Sequence, residues 1–99
     1  MPAGSSLRLD INGRVGIPDA ATAVVLNLTA VLPQAPGYAT MFPRGVATPQ
    51  ASNLNYAPGQ VVPNAVVAKI GGGGDVCLFT LAAADYIVDV TGYLLGTPP

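Results

Sequence analysis

The sequence predicts a single all-β domain, folded as an antiparallel β-sandwich of about seven short strands, with a small barrel as the alternative. Three observations support this fold class. The chain holds 12 glycines and 10 prolines among 99 residues, and they recur about every ten residues, as turns between short strands do. Apolar and polar residues alternate in several segments, which is the period of a half-buried strand. Glu is absent and Lys occurs once, so the residues that favour exposed helices are missing.

The first predicted strand spans residues 7–11, in which apolar and charged side chains alternate: Leu7, Arg8, Leu9, Asp10 and Ile11. Asn12-Gly13 follows it, and this pair favours the two positive φ angles of a tight hairpin turn. Residues 1–6 are predicted to be a linker or a disordered N-terminus. The domain itself is predicted to cover residues 7–95, followed by a C-terminal tail at residues 96–99.

Residues 22–32 hold the longest alternating run and are predicted to form the central strand. The alternative is a helix capped by Asp19, because Ala20, Ala21 and Ala23 favour helical structure. The β-branched residues of the run favour the strand instead. Any helical part is then limited to a single turn before the strand.

Five further strands are predicted in the rest of the sequence, at residues 38–42, 51–56, 64–70, 76–81 and 86–94. Pro36-Gly37 and Pro58-Gly59 have the form of type II turns between strands. Residues 43–50 are predicted to be a loop. The four glycines from Gly71 to Gly74 are predicted to form a flexible hairpin loop.

The low charge of the chain is its strongest indication of function. Its nine charged residues are Arg8, Asp10, Arg14, Asp19, Arg44, Lys69, Asp75, Asp85 and Asp89. An ordinary soluble domain has about 25% charged residues, so much of this surface must be uncharged, and large apolar patches mark contact sites. We therefore expect a homo-oligomer or a subunit of a larger protein assembly. The alternative is a secreted domain whose exterior is Thr, Asn and Gly.

Two classes of partner are not expected. The chain has no basic cluster that would neutralise phosphates, so nucleic acid is not a predicted partner. It is also not predicted to span a membrane, because Pro33, Pro36 and Gly37 interrupt its longest apolar run. Residues 1–6 lack the charged start and apolar core of a signal peptide.

No catalytic residue, cofactor-binding residue or metal ligand is predicted, and the chain is expected not to be an enzyme. It has no His, no Glu and one Cys, so it lacks the groups that usually exchange protons at neutral pH. Asp85 and Asp89 share a face of one predicted strand but lie about 13 Å apart, further than the paired carboxylates of glycosidases. Cys77 has no His to activate it and is predicted to be a buried structural thiol.

The richest polar segment is the candidate ligand site, and it consists of Asn53, Asn55, Tyr56, Gln60 and Asn64. Amides supply hydrogen bonds and aromatic rings supply stacking area, which suits a carbohydrate or a cell-wall polymer. The alternative is structural. Amides beside Pro-Gly turns bond their own backbone, and tyrosines on strands fill the rim of the core.

Five segments carry a resemblance to a known family: AVVLNLTAV at 23–31, PGYATMFP at 36–43, ASNLNY at 51–56, GQVVPNAVV at 59–67 and DVTGYL at 89–94. Through them the chain resembles, from about residue 7 to residue 94, a repeat domain common in secreted and cell-surface proteins of actinobacteria. The most specific part is ASNLNY followed by GQ and PN. The resemblance implies a β-rich accessory module of exported proteins, without an established activity, and an extracellular or cell-surface location.

One departure from the family pattern concerns the N-terminus. Members often carry an Asp-Thr-Arg motif ahead of the position of Leu7, where this chain has residues 1–6. The resemblance therefore implies that an edge strand is missing or that a neighbouring chain supplies it. Leu7, Leu9 and Ile11 become the candidate edge-strand interface.

A second departure concerns a disulfide. Some members carry a Cys at the position of Arg44, able to pair with the one that matches Cys77. The resemblance implies that a cross-link worth about 2–4 kcal/mol is absent here, and association could compensate for it.

A capping or decoration subunit of a larger particle, such as a virion, is a further alternative for the function of the chain.

Overall fold

The computed structural model of this chain describes residues 1–14, 16–49 and 52–96. Over these residues it has seven strands and no helix. The strands are β1 (Ser5–Asp10), β2 (Ala21–Val31), β3 (Gly37–Pro43), β4 (Leu54–Tyr56), β5 (Val61–Lys69), β6 (Asp75–Thr80) and β7 (Asp85–Leu95). The predicted all-β class is confirmed, and residues 22–31 form a strand rather than the alternative helix. In the described ranges, no helix is long and apolar enough to cross a membrane.

The strands form two antiparallel sheets that pack face to face, as predicted for a sandwich. One sheet has the order β1-β6-β3-β4 and the other the order β5-β2-β7. The described strands do not close into a barrel. β2 lies at the centre of the three-stranded sheet because its alternation gives it one wholly apolar face. Val24, Leu26 and Leu28 on that face are each at most 1% exposed.

The connection after β1 differs from the predicted hairpin. β1 pairs with β6, whereas β2 pairs with β5 and β7, so Asn12-Gly13 does not join two paired strands. Gly13 does adopt a positive φ of 80°, and its N–H donates to the Ile17 carbonyl oxygen at 2.9 Å. The turn chemistry fixes a local reversal, but burial of apolar faces decides which strands pair. In this protein, that burial places the next strand, β2, in the other sheet.

The glycine run is likewise a crossing between sheets and not the predicted hairpin loop. It joins β5 of the three-stranded sheet to β6 of the four-stranded sheet. A Cβ atom on Gly71 would lie 2.6 Å from the Arg44 carbonyl oxygen. Glycine is needed there because two backbone segments approach each other closely.

The two Pro-Gly pairs behave differently. Gly59 has a φ of 74°, and the Gln60 N–H donates to the Ala57 carbonyl oxygen at 3.4 Å, which closes a turn. Gly37 has no positive φ, so the predicted type II turn at Pro36-Gly37 is wrong, and Gly37 begins β3 instead. A Cβ atom there would lie 3.0 Å from the Tyr56 ring. Gly37 makes room for that ring.

The strand limits also shift from the predicted ones. β1 begins at Ser5, so residues 5 and 6 belong to the sheet and not to a linker. The N-terminal nitrogen of Met1 donates to the Ala84 carbonyl oxygen at 2.7 Å, which places this end beside the turn between β6 and β7. β4 begins at Leu54, and the predicted strand start at residue 51 lies outside the described residues. The same is true of residues 97–99 of the predicted tail.

A hydroxyl network ties the two sheets together beneath the turn between β6 and β7. Thr80 Oγ1 donates to the Ala82 carbonyl oxygen at 2.6 Å. The hydroxyls of Tyr56 and Tyr86 lie 2.9 and 2.6 Å from Thr80 Oγ1. Since the single Thr80 proton goes to Ala82, both tyrosines donate to Thr80. The Ala82 N–H in turn donates to the Tyr56 hydroxyl at 3.0 Å.

Candidate contact surface at the open side of the sandwich

Two edge strands, β1 and β7, border the same side of the sandwich. Within the described residues, β1 pairs with β6 alone and β7 pairs with β2 alone. A cleft of about 340 Å³ lies between them and is lined by Asp10, Ile11, Arg14, Ile17, Val88, Asp89 and Val90. We call this side, made of β1, β7 and the cleft, the open side.

Core-facing side chains remain exposed at the open side. Val90 and Tyr93 of β7 lie opposite Leu26 and Val24, which are buried on the core-facing side of β2. Val90 is nevertheless 44% exposed and Tyr93 42% exposed, and Leu7 of β1 is 48% exposed. The apolar interior is therefore closed at the centre of the sandwich but not at this side.

Among the described strands, none pairs with the outer edge of β1 or of β7 at the open side. β7 is 11 residues long and contains neither Lys nor Pro, two residues that commonly protect edge strands from pairing. Its register with β2 shifts twice, between Ala21 and Ala23 and between Val25 and Leu26 of β2. A long, charge-poor edge presents a row of N–H and C=O groups to any strand that can lie beside it.

A chain of charged side chains crosses the end of β1. Arg14 Nη2 lies 4.0 Å from Asp10 Oδ2, and Arg8 Nε lies 3.8 Å from Asp10 Oδ1 and 3.9 Å from Asp75 Oδ2. Arg44 Nη1 completes the chain at 3.0 Å from Asp75 Oδ2. Five of the nine charged residues of the protein therefore lie together, and two of them, Asp10 and Arg14, line the cleft of the open side.

Asp75 is the buried member of this charged chain. A hydrogen bond with the Asp10 carboxyl, and then the Arg44 and Arg8 guanidinium groups, lower the pKa of Asp75 below its ordinary value of 3.8, although burial opposes them. Asp75 therefore stays ionised to a lower pH in the folded state than in the unfolded chain. Its stabilising contribution is present above the ordinary pKa and is lost as the pH falls through the lowered one.

Sequence reasoning missed this charged chain because its members are far apart in the sequence. Asp10 and Asp75 become neighbours only through the pairing of β1 with β6, in which they lie directly opposite each other. Arg44 is 31 residues from Asp75. The one local signal was the alternation of Arg8 and Asp10 with apolar residues.

The predicted edge-strand interface divides into three environments. Leu7 is exposed, Leu9 is half-buried against the core, and Ile11 is buried and lines the cleft. Leu7 and Leu9 are thus available for contact, whereas Ile11 contributes mainly to the core. That β1 makes an interface stays a prediction.

The amides of the predicted polar site are largely engaged with the protein backbone. Asn53 Oδ1 accepts from the Met41 N–H at 2.6 Å, and Asn64 Nδ2 donates to the Asn53 carbonyl oxygen at 2.5 Å. Gln60 Oε1 accepts from the Ala57 N–H at 3.0 Å. These bonds follow the structural alternative, in which amides near turns satisfy backbone groups.

Tyr56 does not offer the stacking surface that a glycan site needs. Its side chain is buried, at 6% exposure, and its hydroxyl belongs to the network around Thr80. Asn55 is exposed, and it lies opposite Tyr38 at the edge strand β4. Tyr56 thus lies beneath the surface on which Asn55 is exposed, and that these five residues bind a ligand stays a prediction.

Cys77 and the carboxylates of β7 occupy the outer faces of the two sheets. Cys77 is a free thiol and only partly buried, so the prediction of a buried thiol is wrong. Its neighbours Val76 and Leu78 face the core, which turns Cys77 outward. Asp85 and Asp89 are exposed and lie opposite Val31 and Asn27 of β2.

The open side is thus the place where unpaired backbone, exposed core-facing side chains and clustered charges coincide. These features are defined by the chain's own residues. Comparison with family models, with curated proteins and with solved structures finds no match to this chain.

Proposed function

We propose that this protein is a non-enzymatic structural module of an exported or surface-displayed assembly, and that it docks through its open side. The observation that carries the proposal is the exposure of core-facing side chains on β1 and β7. In a closed sandwich such side chains are covered, and here they are partly in contact with water. Covering them on docking would remove apolar area from water, at about 25 cal/mol per Å².

A second apolar surface exists on the outer face of the three-stranded sheet. Val61 and Val67 of β5 and Ile87 of β7 are exposed there. The backbone of this face is paired on both sides of β2, so along its centre it offers side chains but no strand edge. The open side is the better candidate because two outer strand edges and partly exposed core-facing side chains occur there together.

A charged side chain placed at the open side tests the proposal. We expect the wild-type protein to show a mass above that of the 9.9 kDa chain in light scattering at micromolar concentration. Val90→Lys should shift the distribution towards the single chain, because it places an ammonium group among apolar contacts.

Val67→Lys is the matched control, because Val67 is 62% exposed on the outer face. It should leave association unchanged. A wild-type protein that stays strictly monomeric and adheres to no partner would count against the proposal. So would loss of association in Val67→Lys with none in Val90→Lys.

A further inference from the structure

We infer that the occupant of the open side is a second copy of this chain, joined by antiparallel pairing of the two β1 strands about a two-fold axis at Leu9. This inference rests on the proposed function and names its partner. A two-fold contact uses the same surface on both subunits. In antiparallel pairing, the residue on the axis lies opposite its own copy.

The charges of β1 select this register. Arg8 and Asp10 lie on the face of β1 that points away from the core, each with a side chain that is 52% exposed. With the axis at Leu9, Arg8 lies opposite Asp10 of the partner subunit, and Asp10 lies opposite the partner's Arg8. Two cross-strand pairs of opposite charge then form, which stabilise paired strands.

Neighbouring registers lose this complementarity. An axis at Arg8 places two guanidinium groups directly opposite each other, which is destabilising. An axis at Leu7 places Arg8 opposite Ser6 and Asp10 opposite Gly4 of the partner subunit, so no cross-strand pair of opposite charge forms across the interface. The alternation of charge along β1 therefore favours one register of self-pairing.

The same axis brings the two β7 strands together. Asp10 and Ile11 line one cleft with Val88 and Val90, so the end of β1 lies beside the middle of β7. Both carboxylates of β7 lie in its first half, and residues 91–95 are uncharged. Antiparallel approach of two copies thus carries the two Asp85 carboxylates to opposite sides of the axis.

The size of the open side matches a dimer interface. The molecule measures 38 × 25 × 23 Å, and an 11-residue strand such as β7 runs for about 36 Å. A side face of roughly these dimensions is comparable with the about 800 Å² per partner of a stable interface. Both sheets would continue into the second copy and cover Leu7, Val90 and Tyr93.

Mixing two charge variants tests the register. In Arg8→Asp, β1 carries two acidic side chains, and in Asp10→Arg it carries two basic ones. Each variant alone sets like charges opposite each other, so we expect self-association to weaken about tenfold. An equimolar mixture should associate as a heterodimer with near wild-type affinity, because every cross-strand pair is then complementary. Native mass spectrometry separates the heterodimer from both homodimers.

A cysteine scan tests the axis without changing the charges at the other positions. In a Cys77→Ser background, Leu7→Cys, Arg8→Cys and Leu9→Cys each place a thiol on β1. We expect rapid disulfide-linked dimers from Leu9→Cys alone, because directly opposite residues have the Cα separation that a disulfide requires. If a charge variant fails to fold, this scan still shows which residue of β1 lies on the two-fold axis.

The outcomes separate this inference from the proposed function. Association of the wild type without a heterodimer in the mixture, or with faster cross-linking through Leu7→Cys or Arg8→Cys, overturns the Leu9 register and leaves docking through the open side intact. A wild-type protein that binds only other partners overturns the second copy as occupant. A wild-type protein that stays monomeric and binds no partner contradicts both this inference and the proposed function.

Discussion

At the scale of single residues, Thr80 is the acceptor on which the hydroxyl network depends. Its hydroxyl accepts hydrogen bonds from the hydroxyls of Tyr56 and Tyr86 and donates one to the Ala82 carbonyl oxygen. These residues come from β4, β6, β7 and the turn before β7, so one side chain links both sheets. A buried polar group is stabilising only while its partners remain.

Thr80→Val keeps the shape of the side chain and removes its hydroxyl. We expect it to lower the free energy of unfolding by about 1–3 kcal/mol, because buried partners lose a hydrogen bond. Urea denaturation followed by circular dichroism measures this loss. Thr29→Val, on the outer face of β2, is the matched control and should change stability by less than about 0.5 kcal/mol. Equal losses in the two variants would contradict the role of Thr80.

Because Tyr86 belongs to this network, the stability of the protein depends on pH in the alkaline range. Burial raises the pKa of Tyr86 above its ordinary value of 10.0. The unfolded chain therefore loses this proton near its ordinary pKa, whereas the folded chain keeps it. The contribution of Tyr86 to the free energy of unfolding is complete below about pH 10 and declines as the pH rises further.

Tyr86→Phe should remove this part of the pH dependence. We expect the free energy of unfolding of the wild type to decline more steeply above about pH 10 than that of the variant. Chemical denaturation at a series of pH values from neutral upward measures both slopes. Parallel curves for the two proteins would show that Tyr86 does not carry the effect.

At the scale of elements, the end of β2 contains a strained residue. Leu32 follows β2 directly and has a φ of 49°, a left-handed conformation that costs a residue with a Cβ atom roughly 1–2 kcal/mol. Its N–H donates to the Gln60 carbonyl oxygen at 2.8 Å. That bond fixes the end of β2 beside the turn between β4 and β5.

Leu32→Gly should relieve the strain. We expect the free energy of unfolding to rise by up to about 1 kcal/mol, since relief of strain exceeds the added freedom of the unfolded chain. Leu81 is the matched control, because it is also exposed, also follows a strand and has no positive φ. Leu81→Gly should destabilise by about 0.5–1 kcal/mol. Thermal unfolding compares the two, and a loss of stability in Leu32→Gly would be evidence against strain.

The positions of most strands could be predicted from the sequence, because alternation of apolar residues is a local signal. Val24, Leu26, Leu28 and Ala30 are spaced by two along β2, and they form the buried centre of a sheet. The pairing of strands could not be predicted in this way. Asn12-Gly13 turns the chain as its residue types require, yet the next strand joins the other sheet. Gly37 is required by the Tyr56 ring, a neighbour that no local pattern reveals.

At the scale of the whole molecule, composition predicted that a contact surface exists but not where it lies. Nine charges on 99 residues leave much of the surface uncharged. The place where core-facing side chains emerge depends on which strands end each sheet. β1 and β7 come from opposite ends of the chain, so their meeting at one side follows from topology alone. The expectation that β1 lies at an edge agrees with its position in the four-stranded sheet.

The pairing of β1 with β6 also bears on how the chain folds. Ser5 lies opposite Thr80, so β1 does not have its partner until the residues of β6 have been synthesised. Proteins dominated by such distant pairings fold in about milliseconds to seconds. During that interval Leu7 and Leu9 are exposed in a growing chain. Arg8 and Asp10 between and beside them act as the charged residues that keep a waiting apolar strand from aggregating.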